Sequence, residues 1–144
     1  MSVLGIDLGG KRIGLAISDA SERIALPAGF LSSRGRKADL AAIRSLVAER
    51  GVRHVVVGLP LHMDGRAGPE AEAARAFAAA LAGELGLPVD TLDERWSTVE
   101  AERTLRETGE RGRKRRAGAA DTLAATLLLR TFLERRARSE GREP

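Results

Sequence analysis

Three carboxylates stand where carboxylates are costly. Asp7 interrupts the apolar run "VLGIDLGG", Glu94 closes "GLPVDTLDE", and Asp121 shares a helical face with Ala117, Ala124, Ala125, Leu128 and Phe132. An ionised carboxylate in such surroundings needs a cation or several donors. Each of the three also has a structural explanation. Asp7 could be a turn residue before Gly9 and Gly10, Glu94 an acidic group near a helix N-terminus, and Asp121 an N-cap if the last helix begins there rather than at Ala117.

Taken together, two strand ends and one inward helical position predict convergence on one pocket. Anions gathered there would raise each other's pKa and destabilise the fold unless divalent cations neutralised them. An oxygen-only donor set suits Mg²⁺ or Mn²⁺ rather than zinc. Two such ions about 4 Å apart activate a water and stabilise the leaving oxygen of an in-line displacement at phosphorus. The rest of the composition narrows the choice further. There is no cysteine and no tyrosine, which excludes thiol and tyrosyl nucleophiles, and His54 opens the apolar run "HVVVGLP", where a structural role is expected.

Phosphate-binding candidates surround the three. Lys11 and Arg12 follow Asp7 in a tight turn and could meet the scissile phosphate. Arg95 could do the same or pair with Asp93. The stretch "RTLRETGERGRKRRAG" carries Arg111, Arg113, Lys114, Arg115 and Arg116 between two proposed site elements, and its glycines suggest a mobile loop that grips phosphate, reading backbone rather than base sequence. Ser97 and Thr98 read as helix-start residues and Trp96 as packing. The net charge of +4 favours a polyanionic partner, and all but three of the 24 basic residues are arginine, whose fork matches phosphate oxygens. A GC-rich genome would produce the same bias.

These groups must be positioned by one domain. The 144 residues suffice for a single core, expected over 1–138 with a frayed tail at 139–144, and no apolar run is long enough for a membrane span. Two strands flank "GGKR", a third is "RIALPAGFL", and an amphipathic helix "ADLAAIRSLVAERG" stops at Gly51. "RHVVVGLP" reads as a strand buried on both faces, Pro69 opens a second helix, and "GLPVDTLDE" is the fifth strand. Ser97 and Glu100 form a capping box ahead of another helix, and a last helix follows. The order implies an α/β fold with a five-stranded mixed sheet, antiparallel over its first three strands and parallel later, with helices on both faces.

The segments "GIDLGGKRIGLAISD", "VVVGLPLHMDG", "LDERWSTVEAERTL" and "DTLAATLLL" resemble, in order and spacing, the four blocks of the YqgF/RuvX family from about residue 3 to about residue 133. The resemblance implies an RNase H-like fold related to the RuvC Holliday junction resolvases, with an acidic site at Asp7, Glu94 and Asp121. It implies a bacterial, cytoplasmic nuclease acting on structured RNA or branched DNA, as a monomer or homodimer. Two activities compete within that family, processing of the 5′ end of pre-16S rRNA on ribosomal precursor particles and resolution of four-way DNA junctions. Gly10 replaces a Thr common after "DxG", and His62 an Asn common in "LPLNMDG"; both bear on substrate positioning.

Rival readings are set aside on stated grounds. "GIDLGGKR" misses a Walker A loop, since Arg12 stands where Ser or Thr would hold Mg²⁺ and a strand follows instead of a helix. Actin-like and sugar-kinase ATPases need two domains. A non-catalytic RNA-binding assembly factor, with structural carboxylates, is the remaining alternative, separable by an Asp7→Asn variant.

Overall fold

The computed structural model describes residues 1–60, 64–94 and 113–140, the stretch 113–120 as backbone alone. Five strands, β1 (Ser2–Leu8), β2 (Arg12–Ser18), β3 (Ala25–Ser32), β4 (Val52–Leu59) and β5 (Val89–Asp93), form one sheet in the order β3-β2-β1-β4-β5. β1 pairs antiparallel with β2, and β2 with β3, whereas β4 runs parallel to both β1 and β5. Helices α1 (Arg36–Arg50) and α2 (Pro69–Leu85) cover one face, and α3 (Arg113–Ser139) covers the other. The expected mixed sheet between helical layers is therefore present. Gly51 ends α1 in the left-handed region at φ 63°, a conformation glycine adopts without steric cost.

Alternation along the strands sorts the two faces. Leu4, Ile6, Ile13, Leu15, Ile17, Val55, Val57 and Leu59 point toward α1 and α2 and form a core of large aliphatics with Ile43, Phe77 and Leu81. The opposite face carries Val3, Ala16, Val56 and Leu92 against Ala124, Ala125, Leu128, Leu129 and Leu133 of α3. Burial on both sides explains why β1 and β4 read as continuous apolar runs. On the α3 side the strands carry Gly5, Gly14 and Gly58, so the helix lies close to the sheet at those points. A Cβ added at Gly5 would fall 2.9 Å from Leu129 Cβ, and one at Gly14 only 2.0 Å from the Asp121 carbonyl oxygen.

α3 begins earlier than expected. The helix is already formed at Arg113, so Asp121 lies two turns inside it and is not an N-cap. The same finding corrects the reading of residues 113–118 as part of a loop: Arg113, Lys114, Arg115 and Arg116 lie on the helix, and only the portion before residue 113 is outside the described residues, as is Arg111. The capping-box segment with Arg95, Trp96, Ser97, Thr98 and Glu100 also lies outside them, as do His62 and residues 141–144 of the tail.

At the N-terminal ends of β1 and β4 an ionic clamp holds the sheet to α3. Glu22, in the β2–β3 turn at φ 60°, accepts from both Arg53 at the start of β4 and Arg136 near the end of α3. Arg136 lies over the Phe132 ring at 5.7 Å. His54 meets the same ring edge-on at 5.3 Å and reaches Asp90 Oδ2 at 2.7 Å, the packing role its apolar run implied. At the sheet's edge, the Thr122 hydroxyl donates to the Leu15 carbonyl at 2.7 Å and accepts from the Gly29 amide at 3.1 Å. Among the described residues no helix is long and apolar enough to cross a membrane.

Candidate active site

The site grows from Asp7 outward. Asp7 sits opposite Gly14 in the β1–β2 pairing. The β1–β4 register, which sets Ile6 against Val57, puts Gly58 on its other side. Both neighbours on the α3 face thus lack side chains, and adjacent strands are only about 4.8 Å apart. Each gap is filled by a group from another proposed site element. The Asp121 backbone packs on Gly14, with its Oδ1 3.7 Å from where a Cβ would stand at Gly9, in the turn after β1. Glu94, one residue past β5, folds back over Gly58, where an added Cβ would meet its Oε1 at 2.9 Å.

Asp7, Glu94 and Asp121 are consequently on one face, and all three are buried, at 1%, 0% and 5% exposure. Acidic residues are almost never buried to this degree without compensation. Oδ2 of Asp7 and Oε2 of Glu94 accept no hydrogen bond among the described residues, though both residues have other polar or electrostatic partners. Asp121 is engaged by Arg12, whose Nε donates to Oδ2 at 2.8 Å. Arg12 was expected at the phosphate; here it meets a carboxylate. Among the described residues no three His, Cys, Asp or Glu side chains are drawn closely enough together to hold a metal ion.

Lys11 is exposed at the apex of the β1–β2 turn, which is closed by the Gly9 amide donating to the Arg12 carbonyl at 2.9 Å. Among the described residues a side chain at Gly10 would meet nothing within 4 Å. The backbone of Arg113–Arg116 lies at the start of α3, about 12 Å along the axis from Asp121 at its far end. The sequence reading did not single out Gly14 or Gly58. A glycine inside an otherwise apolar strand is the signal that would have found them, since it marks close approach of another group.

A family model described as "RuvX: Holliday junction resolvase" matches residues 1–135. The chain belongs to the RuvX family. Among its RuvX relatives, a protein of Anaeromyxobacter dehalogenans (strain 2CP-C) is 47% identical over 95% of this chain and 99% of its own length, and one of Moorella thermoacetica is 46% identical over 94% and 96%. Both carry the name "Putative pre-16S rRNA nuclease". The RuvX chain also matches the fold of Thermus thermophilus RuvC, solved in complex with a Holliday junction substrate. The TM-score is 0.60 at 20% identity, covering 100% of this chain and 99% of that one. This RuvX chain and RuvC thus share one fold.

Proposed function

We propose that this protein is a divalent-cation-dependent endonuclease whose substrate is pre-16S rRNA, cut near its 5′ end within ribosomal precursor particles. The observation that carries the reading is the burial of Asp7, Glu94 and Asp121 on one face, with two glycines flanking Asp7 so that the other two carboxylates can close on it. The donor set fits the group such an enzyme uses. It is oxygen-only, in a chain without cysteine and with His54 committed to the far end of the sheet. Asp7, Glu94 and Asp121 are the residues that would hold Mg²⁺ or Mn²⁺, in two sites. Such ions supply an activated water and charge neutralisation for in-line hydrolysis at phosphorus.

The chain's own groups do the rest. Lys11, exposed beside the site, meets the phosphate from the solvent side. Arg95, Arg111 and the basic start of α3 (Arg113, Lys114, Arg115, Arg116) hold the flanking backbone, which favours structured nucleic acid without strict base readout. The nuclease reading is supported by the family membership, and the choice of rRNA by the names of the relatives.

A second reading, resolution of four-way DNA junctions, is favoured by the full-length match to RuvC and by the family's own description. Incubating the protein and its Asp7→Asn variant with Mg²⁺ or Mn²⁺, on a pre-rRNA leader and on a four-way junction, separates the two. Cleavage of the leader alone, lost in the variant, is the expected result. Cleavage of the junction alone selects resolution. No cleavage of either, together with intact ribosome maturation in cells carrying Asp7→Asn, would leave a non-catalytic assembly factor.

A further inference from the structure

We propose that Arg12 and a divalent cation compete for Asp121, so that cation uptake releases the Arg12 guanidinium to take the phosphate being cut. The inference rests on the metal-dependent reading above and assigns Arg12 a positioning role that alternates between two anions.

Arg12 and Asp121 are 109 residues apart and meet at 2.8 Å. The carboxylate's side chain is 8% exposed and the guanidinium's 36%, so the cation approaches a buried anion from the solvent side. Its backbone is fixed: the Arg12 carbonyl accepts from Gly9, and Arg12 pairs with Ser32 on β3. Only the side chain is left to move. On the same face Asp7 and Glu94 add two further buried carboxylates. Gathered anions cost stability, and a guanidinium offsets part of that cost while no metal is bound.

A divalent ion seeks the same oxygen lone pairs with twice the charge on a smaller body. With such an ion held by the carboxylates, the Arg12 guanidinium would face a cation where it now faces an anion, and repulsion would favour its leaving Asp121. A phosphodiester brought to the site offers two oxygens that suit the guanidinium fork. Arg12 would then grip substrate only after the ions are in place, which orders the two binding events.

Isothermal titration of the full chain with MnCl₂ tests the competition. Arg12→Gln is expected to bind Mn²⁺ roughly tenfold more tightly than wild type, the size of one charge-assisted contact removed from the metal-free state and discounted for a partly exposed donor. Arg12→Lys, which keeps the charge, is expected to stay near wild type. In an Asp121→Asn background the Arg12→Gln gain should vanish. Fluorescence anisotropy with a labelled RNA duplex then reads the release: Ca²⁺ in place of EDTA should tighten wild-type binding several-fold and Arg12→Gln binding much less. Mn²⁺ affinity equal to or weaker than wild type in Arg12→Gln would overturn the competition while leaving the metal site standing. An equal Ca²⁺ gain in both proteins would overturn the release. Absence of Mn²⁺ binding in every variant would instead remove the metal-dependent reading and the exchange with it.

Discussion

At one end of the α3 face Glu22 sits between Arg53 and Arg136; at the other, Asp7, Glu94 and Asp121 are buried on one face and Arg12 pairs with Asp121. Both are polar clusters at the boundary of the same helix and sheet, linked by α3, with Asp121 and Arg136 about 22 Å apart along its axis. In the first, Arg53 and Arg136 converge on Glu22, with the Glu140 charge also acting on Arg53, and the cluster acts as a fastener. In the second, three carboxylates are buried on one face and Arg12 pairs with Asp121 among them. Removing charge should therefore weaken the first end and strengthen the second.

The largest expected effect breaks the comparison at the acidic end. Asp7→Asn should lower cleavage by roughly three orders of magnitude, about 4 kcal/mol of barrier, while nucleic-acid binding persists. The same variant should raise the metal-free melting temperature by about 2–5 °C, because one of the gathered anions is gone. In wild type, Mn²⁺ at a hundredfold above its Kd should stabilise the fold by about 2.7 kcal/mol, and this gain should shrink in the variant. A melting temperature that falls instead would show that the Asp7 charge is structural.

Next in size is Gly14→Ala. Its Cβ would meet backbone 2.0 Å away, so α3 must shift, at about 3 kcal/mol of stability by urea denaturation and with loss of cleavage. Gly58→Ala meets the end of the flexible Glu94 side chain at 2.9 Å, so it should cost about 1 kcal/mol yet still disturb activity. If Gly14→Ala is as stable and active as wild type, the close approach of α3 does not position Asp121.

At the fastened end, Glu22→Gln should cost about 2 kcal/mol and leave kcat unchanged. The pH dependence follows with a definite sign. The hydrogen bond from Arg53, ahead of the charges of Arg53 and Arg136, holds the Glu22 carboxyl below its ordinary 4.5. The Ser21 hydroxyl, then the Ile24 and Arg23 amides, lower Asp19 to about 2. Groups depressed in the folded state add stability that is complete above their unfolded values and lost as pH falls through the folded ones. Melting temperature should decline from about pH 4.5 toward pH 2, less steeply in Glu22→Gln; an identical decline would mean that Glu22 is not the group titrating. The smallest effect is expected for Gly10→Thr, whose side chain would touch none of the described residues. Stability should change by no more than about 0.5 kcal/mol, and any change in KM would read the hydroxyl alone.

Much of this was legible in the sequence because it depends on local periodicity. β1 and β4 announced themselves as apolar runs because both faces are covered, and Asp121 stood out because the helix that carries it is otherwise apolar on that side. The start of α3 was not legible. Consecutive basic residues repel one another and Gly118 weakens a helix, so local preference argues against structure there. The helix is instead propagated backward from the packed portion after Asp121. Nor could the Arg12–Asp121 contact or the roles of Gly14 and Gly58 be read in advance. Each depends on which distant segment comes to lie beside it, and a chain of letters carries no such adjacency.

The Thr122 hydroxyl has a consequence away from the chemistry. An outermost strand with bare amides is a template for recruiting another chain, and β3 exposes Leu26 and Phe30, side chains suited to such growth. Pro27 has no amide to offer a recruited strand, while the Gly29 amide turns inward at the bulge opposite Leu15, where Thr122 receives it. Thr122 thus supplies the rung that the bulge takes out of the β2–β3 ladder, and the helix that carries Asp121 also stitches that strand pair together.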